Sequence, residues 1–160
     1  MAQLFSFPHP VNEKAARVVA GCVALACAVT VLTGWHWLLV PIAYGFVARV
    51  LTGPTLSPLG LLATKLAAPR LGRARYVSGP PKRFAQGIGA VCTTVAAVFA
   101  LVLGWSAAAD AILALMVVFA SLEAAWGFCV GCKIFGLLIA VGAVPERTCA
   151  ACADLGLGRG

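Results

Sequence analysis

Long apolar runs separated by short polar segments dominate the hydrophobic pattern of the chain. The first run, from 18 to 48, holds 31 residues without Asp, Glu, Lys or Arg, more than the roughly 20 that a helix needs to cross a hydrocarbon core. Gly34 lies in the middle of this run with Trp35 and Trp37 behind it, which is typical of a tight turn at a membrane surface. The pattern therefore predicts two membrane spans, at 15–32 and 35–51.

A second pair of spans is predicted further along the chain, at 84–104 and 107–127. Asp110 and Glu123 are the only charged residues between 84 and 126. A shorter apolar run at 134–144 has 11 residues, a length that favours an interfacial or re-entrant helix over another crossing. The predicted fold class is thus all-α: an integral membrane four-helix bundle in a single domain over 1–160, with a short interfacial or re-entrant helix and a cysteine-containing C-terminal segment at 128–154.

Composition supports a membrane protein and excludes a soluble globular enzyme. Of the 160 residues, 62% are hydrophobic and 11% are charged, whereas soluble domains have roughly 45 to 50% apolar and about 25% charged residues. Too few polar residues are present to cover one such domain in water. The lipid bilayer is therefore the first predicted partner.

The positive charges indicate an orientation. All 12 Lys and Arg residues fall on one side of the four-span model, near both termini and in the basic loop 53–83, and the positive-inside rule places that side in the cytoplasm. Within this loop, Ser57 and Pro58 predict the start of a short helix and Pro69 its end. Because topology accounts for the charges, no nucleic-acid partner is expected. Small residues at every fourth position of the first and third spans leave a homo-oligomer open.

Several segments resemble a bacterial membrane family, domain of unknown function 4395. The resemblance rests on YGFVARVLTGP at 44–54, LSPLG at 56–60, GPPKRFAQ at 79–86 and FCVGCK at 128–133. It implies a multi-pass protein of the bacterial cytoplasmic (plasma) membrane, with no established activity. Members of such families are often found near genes for thioredoxin-like proteins or sulfurtransferases, which implies thiol or sulfur chemistry with such a soluble partner.

Four of the seven cysteines form two C-x-x-C pairs, Cys129/Cys132 and Cys149/Cys152. The pairs are 16 residues apart, and we expect them to converge into one four-sulfur cluster at the cytoplasmic surface. This spacing is found in four-thiolate zinc sites, so zinc is one candidate cofactor. A C-x-x-C at a helix start equally favours a thiolate for redox or sulfur-transfer chemistry. The remaining cysteines are interpreted as packing residues within spans: Cys22, Cys27 and Cys92.

Ionisable residues near the membrane are the other functional candidates. Glu123 is predicted to form an ion pair with Arg49 near the inner edge of the bundle, because the two lie at similar depth in their spans; the alternative is a proton-handling carboxylate beside the thiols. Asp110 is expected near the outer end of the fourth span, and His36 in the outer turn is expected to face solvent.

Three functions stay open, and the sequence does not decide whether the protein is an enzyme. The first is a membrane thiol protein that passes electrons or sulfur to a thioredoxin-like or sulfurtransferase partner. The second is a non-enzymatic membrane scaffold whose thiolates hold zinc. The third is a small transporter acting as an oligomer, although four spans with scarcely any polar lining argue against transport by a monomer.

Overall fold

The computed structural model describes residues 10–145, and this part of the chain is mostly helical. Its α-helices are α1 (Glu13–Thr33), α2 (Leu39–Thr52), α3 (Pro58–Leu62), α4 (Ala68–Arg70), α5 (Gly79–Ala97), α6 (Ser106–Trp126) and α7 (Val130–Ala140). A 3-10 turn at His36–Leu38 precedes α2, and π-helical segments at Ala63–Ala67 and Val98–Val102 follow α3 and α5.

Three helical stretches are long and apolar enough to cross a membrane: Glu13–Thr33, Gly79–Val102 and Ser106–Trp126. They coincide with the first, third and fourth predicted spans, so the membrane character is confirmed at this level. The stretch at His36–Thr52 is also apolar but shorter. Many large apolar side chains point outward, including Leu25 and Leu32 of α1, which are 67% and 85% exposed. Lipid rather than water suits such a surface.

Local sequence signals fix both ends of α1. The Asn12 side chain accepts a hydrogen bond from the Lys14 N–H at 3.0 Å, as an N-cap does. At the other end Gly34 has φ 67°, a left-handed conformation that glycine adopts without strain. The predicted turn at Gly34 is therefore confirmed.

Helix α5 begins earlier than predicted. The sequence pattern places the start of this span at 84 and assigns the preceding residues to the basic loop, whereas the helix starts at Gly79. Pro80 and Pro81 lie in its first turn, where the missing proline N–H breaks no helical hydrogen bond. Lys82 consequently belongs to the helix and not to a loop.

The segment between α2 and α5 contains the predicted short helix. Ser57 is the N-cap of α3 and accepts a hydrogen bond from the Gly60 N–H at 3.2 Å, with Pro58 at the first helical position. Pro69 does not end the helix as predicted, because the chain continues through the π-helical segment to Arg70. The wider hydrogen bonds of that segment precede Pro69, which has no N–H to donate.

A short antiparallel pairing departs from the all-α prediction. Val11–Asn12 pairs with Tyr76–Val77, and the Glu13 N–H donates to the Arg75 carbonyl at 2.7 Å. These two segments lead into α1 and α5. The pairing therefore ties the start of α1 to the segment that leads into α5.

The long helices pack in pairs, α1 along α6 and α2 along α5, and α5 also contacts α6 and α7. The buried core is apolar, with its large members contributed by α1, α2 and α6: Val19, Val23, Leu39, Phe46 and Leu113. Gly89 of α5 faces the Phe46 ring so closely that a Cβ there would collide with it. A residue without a side chain thus permits the close approach of α2 to α5.

Candidate functional site

Cys129 and Cys132 lie at the junction between α6 and α7. Gly127 ends α6 in the left-handed conformation, with φ 70°. Two residues later α7 begins, with Cys129 as its N-cap residue in extended conformation and Cys132 in its first turn. Cys129 is buried and Cys132 is half-buried, and both are free thiols.

The two thiols differ in acidity. Hydrogen bonding by Cys132 lowers the pKa of the Cys129 thiol to about 7; burial and the charge of Glu123 oppose this effect, and the charge of Lys82 assists it. The same contact, together with burial, raises the pKa of Cys132. Near neutral pH the pair therefore combines a thiolate on Cys129 with a protonated neighbour, the arrangement that nucleophilic thiol chemistry requires.

Lys82 and Glu123 form a salt bridge close to these thiols. The Lys82 Nζ donates to Glu123 Oε1, and the two side chains are only 7% and 17% exposed. The prediction that Glu123 pairs with Arg49 is therefore wrong, because the cation that pairs with Glu123 is Lys82. The early start of α5 is the physical reason, since it places Lys82 on a helix beside the end of α6.

Arg49, near the end of α2, makes other contacts. Its Nε donates to Gln86 Oε1 at 2.9 Å and its Nη1 to Ser57 Oγ at 3.2 Å. The guanidinium also lies over the Phe46 ring, 4.6 Å from its centroid. The residue is 6% exposed, and within the described part of the chain its Nη2 has no hydrogen-bond partner.

A small cavity of about 110 Å³ adjoins the buried thiol. Its polar lining residues are Gln86, Glu123 and Cys129, and the rest of its wall is almost entirely apolar. One water molecule occupies about 30 Å³ in the liquid, so the cavity suits a few atoms rather than a large ligand. Cys129 is thus buried beside open space.

A second polar pair lies at the opposite end of the helices. His36 Nε2 and Asp110 Oδ1 are 2.8 Å apart, which joins the 3-10 turn before α2 to the first turn of α6. The His36 side chain is only 14% exposed, so the expectation that it faces solvent is corrected. Two residues in different apolar runs give no sequence signal of such a contact.

A protein-family model matches most of the chain, including this site. The model described as a domain of unknown function, DUF4395, matches residues 11–140. The chain belongs to the DUF4395 family. The match includes Cys129 and Cys132 with Lys82 and Glu123, and it confirms the resemblance noted from the sequence. No curated protein and no solved structure matches the chain.

The second C-x-x-C pair of this DUF4395 member, Cys149/Cys152, lies outside the described residues and beyond the family match. Its convergence with Cys129/Cys132 stays a prediction. Within 10–145 no group of three or more His, Cys, Asp or Glu side chains is arranged to hold a metal ion. A four-thiolate zinc site would therefore need both residues of the second pair.

Proposed function

We propose that this DUF4395 protein is a membrane dithiol centre. In this proposal Cys129 and Cys132 exchange electrons or sulfane sulfur with a soluble partner of the thioredoxin-like or sulfurtransferase class. The observation that carries it is the unequal acidity of two neighbouring thiols at the start of α7, with the pKa of Cys129 lowered to about 7. An isolated thiol, with its ordinary pKa of about 8.5, is largely protonated at neutral pH.

The redox step is a thiol–disulfide exchange. The Cys129 thiolate attacks a disulfide of the partner, whose sulfur–sulfur bond breaks as the mixed disulfide forms. The released partner thiolate takes the proton of Cys132, and the Cys132 sulfur then attacks Cys129. An internal disulfide forms, the partner leaves with two reduced sulfurs, and two electrons have passed to it.

The sulfur-transfer step uses the same nucleophile. The Cys129 thiolate attacks the outer sulfur of a partner persulfide, the sulfur–sulfur bond of that persulfide breaks, and the partner leaves as a thiolate. Cys129 then carries the extra sulfur as a persulfide. The cavity of about 110 Å³ beside Cys129 supports this branch, because it has room for one additional sulfur atom.

We further propose that α2 and its 3-10 turn form a fourth crossing and that the thiols face the cytoplasm. The His36 contact with Asp110 holds the start of this stretch beside the start of α6. The Arg49 contact with Gln86 holds its end beside the start of α5. Its 17 residues make about 26 Å of helix at 1.5 Å per residue, close to the thickness of a hydrocarbon core.

Thiol exchange of the purified protein in nanodiscs tests the dithiol proposal. Reduced protein is mixed at neutral pH with oxidised thioredoxin and, separately, with glutathione persulfide. We expect Cys129→Ser to lower both rates at least tenfold, and Cys132→Ser to accumulate the mixed disulfide because the resolving thiol is gone. Cys92→Ser, at a half-buried thiol within α5, is the matched control and should keep both rates.

Wild-type rates in Cys129→Ser would reject the proposal. A variant with both Cys149 and Cys152 replaced by Ser shows whether the second pair takes part in the exchange. Bound zinc in wild-type protein that disappears in this double variant would favour the thiolate metal site instead.

A further inference from the structure

A second and larger cavity opens at the basic end of the helices. It has a volume of about 300 Å³ and lies among the start of α1, the end of α2, α3 with the π-helical segment after it, and the start of α5. Arg49 and Lys82 line it together with four neutral polar residues, and no described lining residue is acidic. The neutral polar residues with an amide or hydroxyl side chain are Asn12, Thr64, Tyr76 and Gln86. The cavity therefore presents two cations and several hydrogen-bonding groups to any occupant.

Arg49 carries the strongest sign of a ligand. The residue is 94% buried, taken from its 6% exposure, and its Nη2 is buried without a hydrogen-bond partner in the part of the chain described. A buried charged donor left unpaired costs more than an ordinary lost hydrogen bond. Its other two nitrogens are satisfied by Gln86 and Ser57, so the guanidinium is already held in one orientation.

Lys82 adds a second, equally buried cation. The residue is 6% exposed, and its contact with Glu123 uses one of the three donor positions of an ammonium group. Glu123 lies on the side of the smaller cavity and not among the residues that line the larger one. The positive charge of Arg49 has no such acidic partner among the salt bridges of residues 10–145. The lining thus carries two cations and no carboxylate, and the nearby charge of Glu123 acts on both Arg49 and Lys82.

We propose that this cavity binds an oxyanion of the phosphate class between Arg49 and Lys82. The Arg49 Nη2 is the guanidinium nitrogen left to donate to such a group, and Lys82 acts as a compact point charge beside it. The oxyanion is either free in the cytoplasm or the phosphate of a lipid headgroup. Both sources offer the same chemistry to the two cations, and the cavity is within the size range of small-ligand sites.

The test uses the full chain in phosphate-free maltoside micelles. Unfolding temperature is measured with inorganic phosphate and with chloride at equal ionic strength, and native mass spectrometry records phospholipid retained by the same samples. We expect phosphate to stabilise the wild-type protein more than chloride does. Arg49→Gln and Arg49→Lys should each weaken phosphate binding at least tenfold, the second because lysine lacks the Nη2 donor. Lys65→Gln is the charge-matched control, since Lys65 is exposed and does not line the cavity.

Arg49 also supports local packing, so a second variant that keeps Arg49 is needed to separate lost phosphate binding from misfolding. Thr64→Phe fills the cavity from its rim and leaves both cations in place, and it should abolish the phosphate response. Equal effects of phosphate and chloride on wild-type protein that retains no phospholipid would overturn the proposal. So would a phosphate response that survives in Thr64→Phe and both Arg49 variants, or one that Lys65→Gln reduces as much as they do.

The two sources of the oxyanion give different results. A phosphate response without retained phospholipid indicates a free oxyanion. Retained phospholipid that is lost in Thr64→Phe and displaced by added phosphate indicates a lipid headgroup. Cys129→Ser is expected to bind phosphate as the wild type does, so failure of the dithiol proposal would leave this one standing.

Discussion

The acidity of Cys129 depends on individual neighbours rather than on its place in a helix alone. Hydrogen bonding by Cys132 is the largest cause of its lowered pKa, and the charge of Lys82 acts in the same direction. Burial and Glu123 act against them. The salt bridge between Lys82 and Glu123 therefore brings together one cation that favours the thiolate and one carboxylate that disfavours it.

The pH dependence of alkylation tests this account of the thiol. The protein for this test keeps Cys129 and Cys132, and its other cysteines are replaced by alanine. The alkylation rate of Cys129 should rise with pH, reach half its maximum near pH 7 and level off above about pH 8. Removing the hydrogen bond with Cys132→Ala should move the midpoint toward the ordinary thiol pKa of about 8.5. Stopped-flow measurement with a maleimide gives both profiles, and an unchanged midpoint in Cys132→Ala would contradict the assignment.

The Lys82–Glu123 salt bridge should be important for stability because both partners are buried. Lys82→Met leaves the carboxylate without its cation, and breaking a buried pair in this way typically costs about 3 to 5 kcal/mol. We expect a clear fall in the unfolding temperature, partly recovered in the double variant Lys82→Met/Glu123→Met. Arg75→Ala is the control, since the Arg75 side chain is 77% exposed and exposed pairs contribute about 0 to 1 kcal/mol. Equal losses in Lys82→Met and Arg75→Ala would contradict the prediction.

At the scale of the elements, the position of α7 on α5 places the thiols. The Phe84 and Phe135 rings pack with centroids 5.5 Å apart. A Cβ at Gly131 would lie 2.5 Å from the Ala85 Cβ and 2.7 Å from its Cα. These two helices therefore touch at a glycine one residue before Cys132.

Glycine substitutions in α7 test whether this contact fixes the site. Gly131→Ala should push α7 away from the α5 backbone, at a cost of about 1 to 3 kcal/mol, and it should raise the pH midpoint of Cys129 alkylation. Gly136→Ala is the matched control, because a Cβ there meets nothing within 4 Å. Alanine favours the helix over glycine, so this control should be neutral or stabilising. An unchanged alkylation midpoint in Gly131→Ala would show that the contact does not set the thiol environment.

Elements set by local signals were predictable from the sequence, and contacts between elements were not. Asn12 and Ser57 act as caps through hydrogen bonds within three residues, and Gly34 marks its turn because of its own backbone conformation. The partner of Glu123, in contrast, depends on where α5 begins and how it lies against α6. The prolines at 80 and 81 allow either a loop or a first helical turn, and the choice between these decides whether Lys82 reaches that carboxylate.

For the candidate site, too, the local features were predictable from the sequence and the contacts between helices were not. The C-x-x-C spacing identified Cys129 and Cys132 as a pair, since only two residues separate them. Which thiol is the more acidic depends first on the hydrogen bond between them, and the charges of Lys82 and Glu123, which approach from α5 and α6, act in the same directions on both thiols. The buried, unpaired nitrogen of Arg49 likewise became visible only once the surroundings of the side chain were known.

At the scale of the whole molecule, the Lys and Arg residues of the described part of the chain lie toward one end of the long helices. At the basic end, the Arg17 Nε donates to the Ala124 carbonyl at 3.0 Å, so the start of α1 meets the end of α6. The turns at the other end, 34–38 and 103–106, contain no Lys or Arg. This asymmetry supports the proposed cytoplasmic orientation of the thiols, and with them of both cavities.

Labelling of single cysteines in intact cells tests that orientation and the crossing by α2 together. In a cysteine-free background, Trp35→Cys and Ser106→Cys should react with a membrane-impermeant maleimide from outside, because both positions are exposed in the turns that contain no Lys or Arg. Arg73→Cys, exposed in the basic loop, should react only after permeabilisation. Four crossings place positions 35 and 106 on the same side, whereas three crossings without α2 place them on opposite sides. Reaction of Arg73→Cys alone in intact cells would invert the orientation, and opposite behaviour of Trp35→Cys and Ser106→Cys would show that α2 does not cross.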